Sequence, residues 1–154
     1  AMAGESCEGR DRYWQSGRRL TPDQYERGRR MVVMGYALIF TLPGIPSIYY
    51  GDEIGMQGYK DPFNRAFFDW DSTENRIRPA LQRLAALRKN CSAFADGEFH
   101  LLRAEDGVLE FERRGASAVA AVCLNRSPST LTTQLLGQTV TVNPYDFAAI
   151  TQSR

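Results

Sequence analysis

The hydrophobic period of this chain changes near residue 95. Downstream of that point apolar residues alternate with a period of two, whereas upstream they recur at helical spacing or gather in blocks. A chain divided in this way is expected to fold as α+β, with helices first and an antiparallel β part afterwards. Phe99, Leu101 and Arg103 alternate with His100 and Leu102, Leu109 and Phe111 with Glu110 and Glu112, and Val140 and Val142 with Thr139 and Thr141. Residues 118–124 are apolar at nearly every position, which suits a central strand covered on both faces. Asp106-Gly107, Gly115-Ala116, Asn125-Arg126-Ser127-Pro128, Gly137 and Asn143-Pro144 punctuate the runs as turns. Short strands at this spacing predict an antiparallel sheet or sandwich over residues 93–154.

The upstream part reads differently. Residues 1–20 are polar, rich in Arg, Gly and Ser and without periodicity, and are expected to be an exposed loop or arm. A helix then begins with clear end chemistry: Thr21 precedes Pro22, and Gln24 occupies the third position of a capping box. Its second half, residues 31–42, is almost wholly apolar and is expected to be buried on several sides. Pro43-Gly44 stops it. The next run, residues 45–50, is apolar without alternation and predicts a strand covered on both faces, as in a parallel sheet. Residues 51–72 read as a long irregular loop, the kind that usually carries function. A second helix is expected to enter at Pro79 and end near Asn90, with Leu81, Leu84, Ala85 and Arg88 on one face and Leu87 beside it. One strand with two helices cannot close a parallel sheet, so residues 21–92 are expected to need a partner copy or further chain.

Composition narrows the function. In 154 residues, 19 Lys+Arg face 18 Asp+Glu, and a net charge of +1 argues against a nucleic-acid partner. A 43% hydrophobic fraction excludes a disordered chain. Cys7, Cys91 and Cys123 fit neither a disulfide framework nor a zinc site, and read as reduced thiols in a cytoplasmic compartment. Arg29-Arg30 before the apolar run imitates a signal peptide, but the run is internal and is broken by Pro43 and Pro46 short of the about 20 residues that a membrane helix needs. No membrane partner is expected. The sequons at Asn90 and Asn125 read as chance, and Arg27-Gly28-Arg29-Arg30 as a solvated helix face. The chain opens Ala1-Met2, which reads as a piece of something longer.

Residues 40–56, Phe-Thr-Leu-Pro-Gly-Ile-Pro-Ser-Ile-Tyr-Tyr-Gly-Asp-Glu-Ile-Gly-Met, resemble the last barrel strand and its approach in the α-amylase family, glycoside hydrolase family thirteen. The continuation Gln57-Gly58-Tyr59-Lys60-Asp61-Pro62-Phe63-Asn64-Arg65, then Trp70-Asp71, is similar to the neopullulanase and cyclomaltodextrinase branch, in which an Asp-Pro-x-x-Arg loop follows the eighth strand. Leu84-Ala85-Ala86-Leu87-Arg88-Lys89 resembles the last barrel helix, and Ala121-Val122-Cys123-Leu124-Asn125 a strand of the C-terminal sandwich. The resemblance implies that residues 21–92 are the last α-β-α portion of a (β/α)₈ TIM barrel and residues 93–154 an antiparallel β-sandwich. It implies an intact parent that cleaves α-glucosidic bonds with retention, using an Asp, a Glu and an Asp that this chain does not contain. No Asn-His-Asp occurs, and His100 is the only histidine. No catalytic residue is therefore expected here, and no metal or cofactor.

Asp61 and Arg65 are the substrate-binding candidates that the resemblance implies, with Tyr59 as a possible stacking ring. A carboxylate and a guanidinium offer acceptors and planar donors to vicinal sugar hydroxyls, although the same pair can simply be a local salt bridge. Asp52-Glu53 is the tempting catalytic pair. A retaining mechanism needs two carboxyls facing each other at roughly 5 Å, whereas adjacent residues of an extended segment point apart; these two are expected to anchor the loop. Phe67, Phe68 and Trp70 are expected to plug the core beneath it. A non-catalytic carbohydrate-binding or assembly module is the alternative, opposed by the lack of an exposed aromatic row in a β region whose Phe residues alternate inward. Loss of barrel neighbours predicts a homo-oligomer through the apolar helix and strand.

Overall fold

The computed structural model describes residues 3–73 and 76–154; Ala1-Met2 lies outside them. The arm contains a short helix, α1 (Arg12–Gly17), where a loop was expected. Asp11 nucleates it by accepting from the Trp14 N–H at 2.7 Å. The arm is also tied down, because Ala3 is buried and its carbonyl accepts from Arg27.

Helix α2 (Pro22–Thr41) begins with the expected capping box: Thr21 Oγ1 accepts from the Gln24 N–H and Gln24 Oε1 accepts from the Thr21 N–H. Its apolar half is buried on two sides. Met34, with Leu38 and Leu42, faces the sheet, while Tyr36, Ala37 and Phe40 face α3 (Ile77–Asn90). Ile39 is left exposed. Helix α3 starts two residues before Pro79, which falls in the first turn, where a missing N–H costs nothing. Its buried face is Ile77, Ala80, Leu81 and Leu84, and Ala85 is exposed, a correction to the expected face. A single turn, α4 (Ala93–Asp96), then sets the fully buried Phe94 under the sheet.

Residues 45–50 form no strand. A strand exists only by pairing, and every strand pair among the described residues is antiparallel and lies beyond residue 97. Ile45 is 97% exposed, and Ile48, Tyr49 and Tyr50 are exposed too, which corrects the expectation of a doubly covered strand. Two 3₁₀ turns, Asp52–Ile54 and Phe63–Arg65, organise the loop that follows.

The β part contains β1 (Glu98–Glu105), β2 (Val108–Arg114), β3 (Ala118–Asn125), β4 (Leu131–Leu135), β5 (Gln138–Val142) and β6 (Asp146–Ser153). They form an antiparallel sheet in the order β1-β2-β3-β6 and a separate β4-β5 hairpin. Strand β3 is central, as its composition required: Ala120, Val122 and Leu124 join Phe111, Phe94 and Met34 on the helical side, and Ala121 and Cys123 join Val108, Leu135 and Val142 on the hairpin side. The result is an α+β unit whose two sheets make an unequal sandwich. Strand β1 is an edge with a bulge at Leu102, since Leu101 pairs with Phe111 and Arg103 with Glu110. Phe99, Leu101 and Leu102 are consequently exposed, and the inward alternation expected of the β region fails at this edge.

Candidate functional site

The candidate residues lie on the loop between α2 and α3, which side chains of both neighbours hold in place. Tyr36, in α2, donates its hydroxyl to Asp52 Oδ2 at 2.6 Å and accepts from the Tyr49 N–H at 3.0 Å. Burial, followed by the hydrogen bond to Asp52, pushes the Tyr36 phenol up to about 12. Glu53 Oε2 accepts from the Gly51 N–H at 2.8 Å. Asp52 and Glu53 thus anchor backbone and helix, as expected, although they do so from a 3₁₀ turn and not from an extended segment. Gly55, at φ +67°, lets Tyr25 approach so closely that a Cβ would lie 2.0 Å from its hydroxyl, so no side chain fits there.

Beyond this anchor the loop turns outward. A Cβ on Gly58 would lie 2.3 Å from the Phe63 carbonyl oxygen, so glycine is what allows the chain to fold back there. Asp61 and Arg65 form an ion pair across that fold, and both side chains are more than half exposed. Their polar edges therefore face solvent while each holds the other. Tyr49 and Tyr50 pack ring against ring at 5.0 Å, and their hydroxyls donate to the carbonyls of Asn64 and Ala66. That places the Asp61–Arg65 turn beside exposed aromatic surface.

Tyr59 is turned toward the arm. Its ring lies 5.5 Å from Trp14, and its hydroxyl donates to the Glu5 carbonyl at 3.4 Å. The guanidinium groups of Arg10 and Arg18 lie over Trp14 at 5.1 and 4.7 Å, and Arg18 pairs with Glu5. The structure thus joins Asp61 to Arg65 and gives Tyr59 a packing partner of its own. Phe67 and Trp70 are 99% and 87% exposed, which corrects their expected place in the core; Phe68 is half-buried against Trp70. Sequence reasoning missed Trp14 and Tyr36. Trp14 sat in a segment without periodicity, and Tyr36 sat among apolar residues where a hydroxyl gives no signal of its partner.

Among the described residues no group of three His, Cys, Asp or Glu side chains could hold a metal, and no helix is long and apolar enough to cross a membrane. All three cysteines are free. Asn125 is fully buried, with its Nδ2 donating to the carbonyls of Ser129, Val142 and Asn143, so its sequon is a structural asparagine.

No family model matches the chain. It is 38% identical over 102 residues to the cyclomaltodextrin glucanotransferase of Bacillus sp. (strain 1011), a match of 66% of this chain and 14% of that protein. It is 36% identical over 110 residues to that of Thermoanaerobacterium thermosulfurigenes, a match of 70% of this chain and 16% of the relative. Among solved structures, the cyclic α-maltosyl-(1→6)-maltose hydrolase of Arthrobacter globiformis superposes with a TM-score of 0.76 at 27% identity, covering 85% of this chain and 31% of that one. The chain therefore spans a small part of the curated relatives that it matches. Its homologues are enzymes of the α-amylase family, and the part of them that it resembles is the C-terminal region.

Proposed function

We propose that this chain is the C-terminal part of an α-glucan-acting glycoside hydrolase, one that in intact form cleaves α-glucosidic bonds with retention. In this reading residues 21–92 are the final helix, strand and helix of a (β/α)₈ barrel, with 93–154 as the C-terminal sandwich. Residues 45–50 become the eighth strand only when a seventh lies beside them. Asp61 and Arg65 contact a glucose unit of a maltooligosaccharide, with Tyr59 at the margin, and the free thiols suit a cytoplasmic setting. The observation that supports this best is the exposed Asp61–Arg65 pair, set directly after the Tyr49-Tyr50-Gly51 segment in a chain whose homologues include cyclomaltodextrin glucanotransferases.

The chain alone is then catalytically incomplete, because Asp52 and Glu53 are both committed to anchoring and no Asn-His-Asp is present. The test is an assay on pullulan, cyclodextrin and maltotriose with the intact mass confirmed at 17.4 kDa. No turnover is expected; turnover that survives repurification would overturn the assignment of Asp52 and Glu53 as anchors. The second reading, a non-catalytic binding or assembly module, is favoured by the exposure of Ile45, Phe67 and Trp70, and it takes the form of a homo-oligomer through that surface.

A further inference from the structure

A second concavity lies on a different face, between α2, α3 and the start of β6. It holds about 600 Å³, and Arg29 and Arg30 of α2 line it together with Arg76 and Arg83 from the α3 side. One carboxylate organises much of this rim. Glu26 pairs with Arg29 at 2.6 Å, Arg76 at 2.9 Å and Arg30 at 3.2 Å. The Arg29 hydrogen bond leads the causes that hold its carboxyl down at about 2. Arg30 uses only its Nε on Glu26, and Arg83 has no hydrogen-bond or ion-pair partner among the described residues. Asp146 is the acid in the lining, and its Oδ1 is already taken by the Phe147 N–H at 2.8 Å. The lining also includes the half-buried apolar side chains of Val33, Leu87 and Phe147.

A cationic rim over an apolar wall discriminates between ligands. A bare anion gains nothing from the wall, and a neutral sugar gains little from the rim. A phosphate ester uses both, because guanidinium forks match phosphate oxygens in a planar, two-point geometry and the carbon body leaves water against the wall. We propose that this cleft binds a small organic phosphate, with Arg30 and Arg83 foremost on the phosphate and the body of the ligand against Val33, Leu87 and Phe147. The ligand would bridge both long helices and the sheet. The proposal is independent of the glucan reading, since it uses none of the loop residues.

The test is calorimetric titration of the full chain with glucose 6-phosphate, inorganic phosphate and glucose. Glucose 6-phosphate is expected to bind at least tenfold more tightly than phosphate, and glucose not at all. The double variant Arg30→Gln/Arg83→Gln should weaken binding by about tenfold or more, the scale of a lost hydrogen bond to a charged group, while Arg114→Gln, at the opposite end of β2 and β3 from Asn125 and Asp146, leaves it unchanged. Arg83 is exposed, so Arg83→Gln alone carries the test if the double variant unfolds. Absence of binding, equal binding of phosphate and its ester, or an unaltered double variant would each overturn the proposal.

Discussion

The fold depends on two arginines whose roles are visible only at the scale of single atoms. Arg113, on β2, is 1% exposed and makes no salt bridge among the described residues; Nη1 donates to the Thr41 carbonyl at 2.7 Å, while Nε and Nη2 donate to that of Gly97. Arg88 donates to the carbonyls of Phe40, Leu42 and Gly44. Together they satisfy and complement the negative end of α2, whose last turn holds no basic residue. Burial, and then the neighbouring Arg88, lower the Arg113 pKa below its ordinary value, so the cation is tolerated only because all of these bonds form. Arg113→Met should destabilise the chain by about 3 kcal/mol in urea unfolding, because two buried carbonyls lose their donors. An unchanged midpoint would refute this role. Tyr36→Phe should cost about 2 kcal/mol, since a carboxylate and an N–H lose the same hydroxyl. Because the Tyr36 phenol is raised from 10 to about 12, its contribution is complete below pH 10 and disappears as pH rises through about 12. The wild type should therefore lose stability in that window, and Tyr36→Phe should lose less.

At the scale of elements, α2 is the backbone of the upstream part. Its capping box satisfies two otherwise orphaned N–H groups, and Thr21→Ala should lower stability by about 1 kcal/mol without altering the circular dichroism of the folded state. One turn later Glu26 ties α2 to the start of α3 through Arg76. Its carboxyl is lowered from 4.5 to about 2, so its contribution is complete above pH 4.5 and is lost as pH falls toward 2. Glu26 is partly exposed and solvent screens the effect. Thermal unfolding followed over that acid window should still show a shallower loss for Glu26→Gln than for the wild type. The β elements were legible because alternation and turn residues agree. Asp106 and Gly107, at φ 51° and 76°, make the two-residue hairpin that the dipeptide predicted. Strands β4 and β6 were not read; residues 146–153 mix small and polar side chains without alternation. Strand β6 exists through its pairing with β3, from Asp146 opposite Asn125 to Ser153 opposite Ala118.

At the scale of the whole molecule, the exposed apolar side chains fall into two groups. Apart from Tyr13 on α1, Ile39, Ile45, Ile48, Tyr49, Tyr50, Phe67 and Trp70 belong to α2 and the loop, while Phe99, Leu101 and Leu102 lie on the β1 edge. Large apolar surface of this kind seeks cover. Size exclusion with light scattering should show a dimer or higher oligomer. A monodisperse monomer at high concentration would sink the homo-oligomer.

The amino-acid sequence by itself determined the two long helices, the hairpin turns, the central place of β3 and the loop that carries Asp61 and Arg65. Each of these follows from interactions within a few residues: a cap, a proline, a period, a turn dipeptide. Tertiary structure alone decided that residues 45–50 stay unpaired, that Trp14 covers Tyr59, that Phe67 and Trp70 face outward, and that Arg88 and Arg113 close the end of α2. The reason is one of range. A strand needs a neighbour, a buried guanidinium needs distant carbonyls and an aromatic ring needs a surface to cover, and none of those partners is specified by residues close to it in the chain.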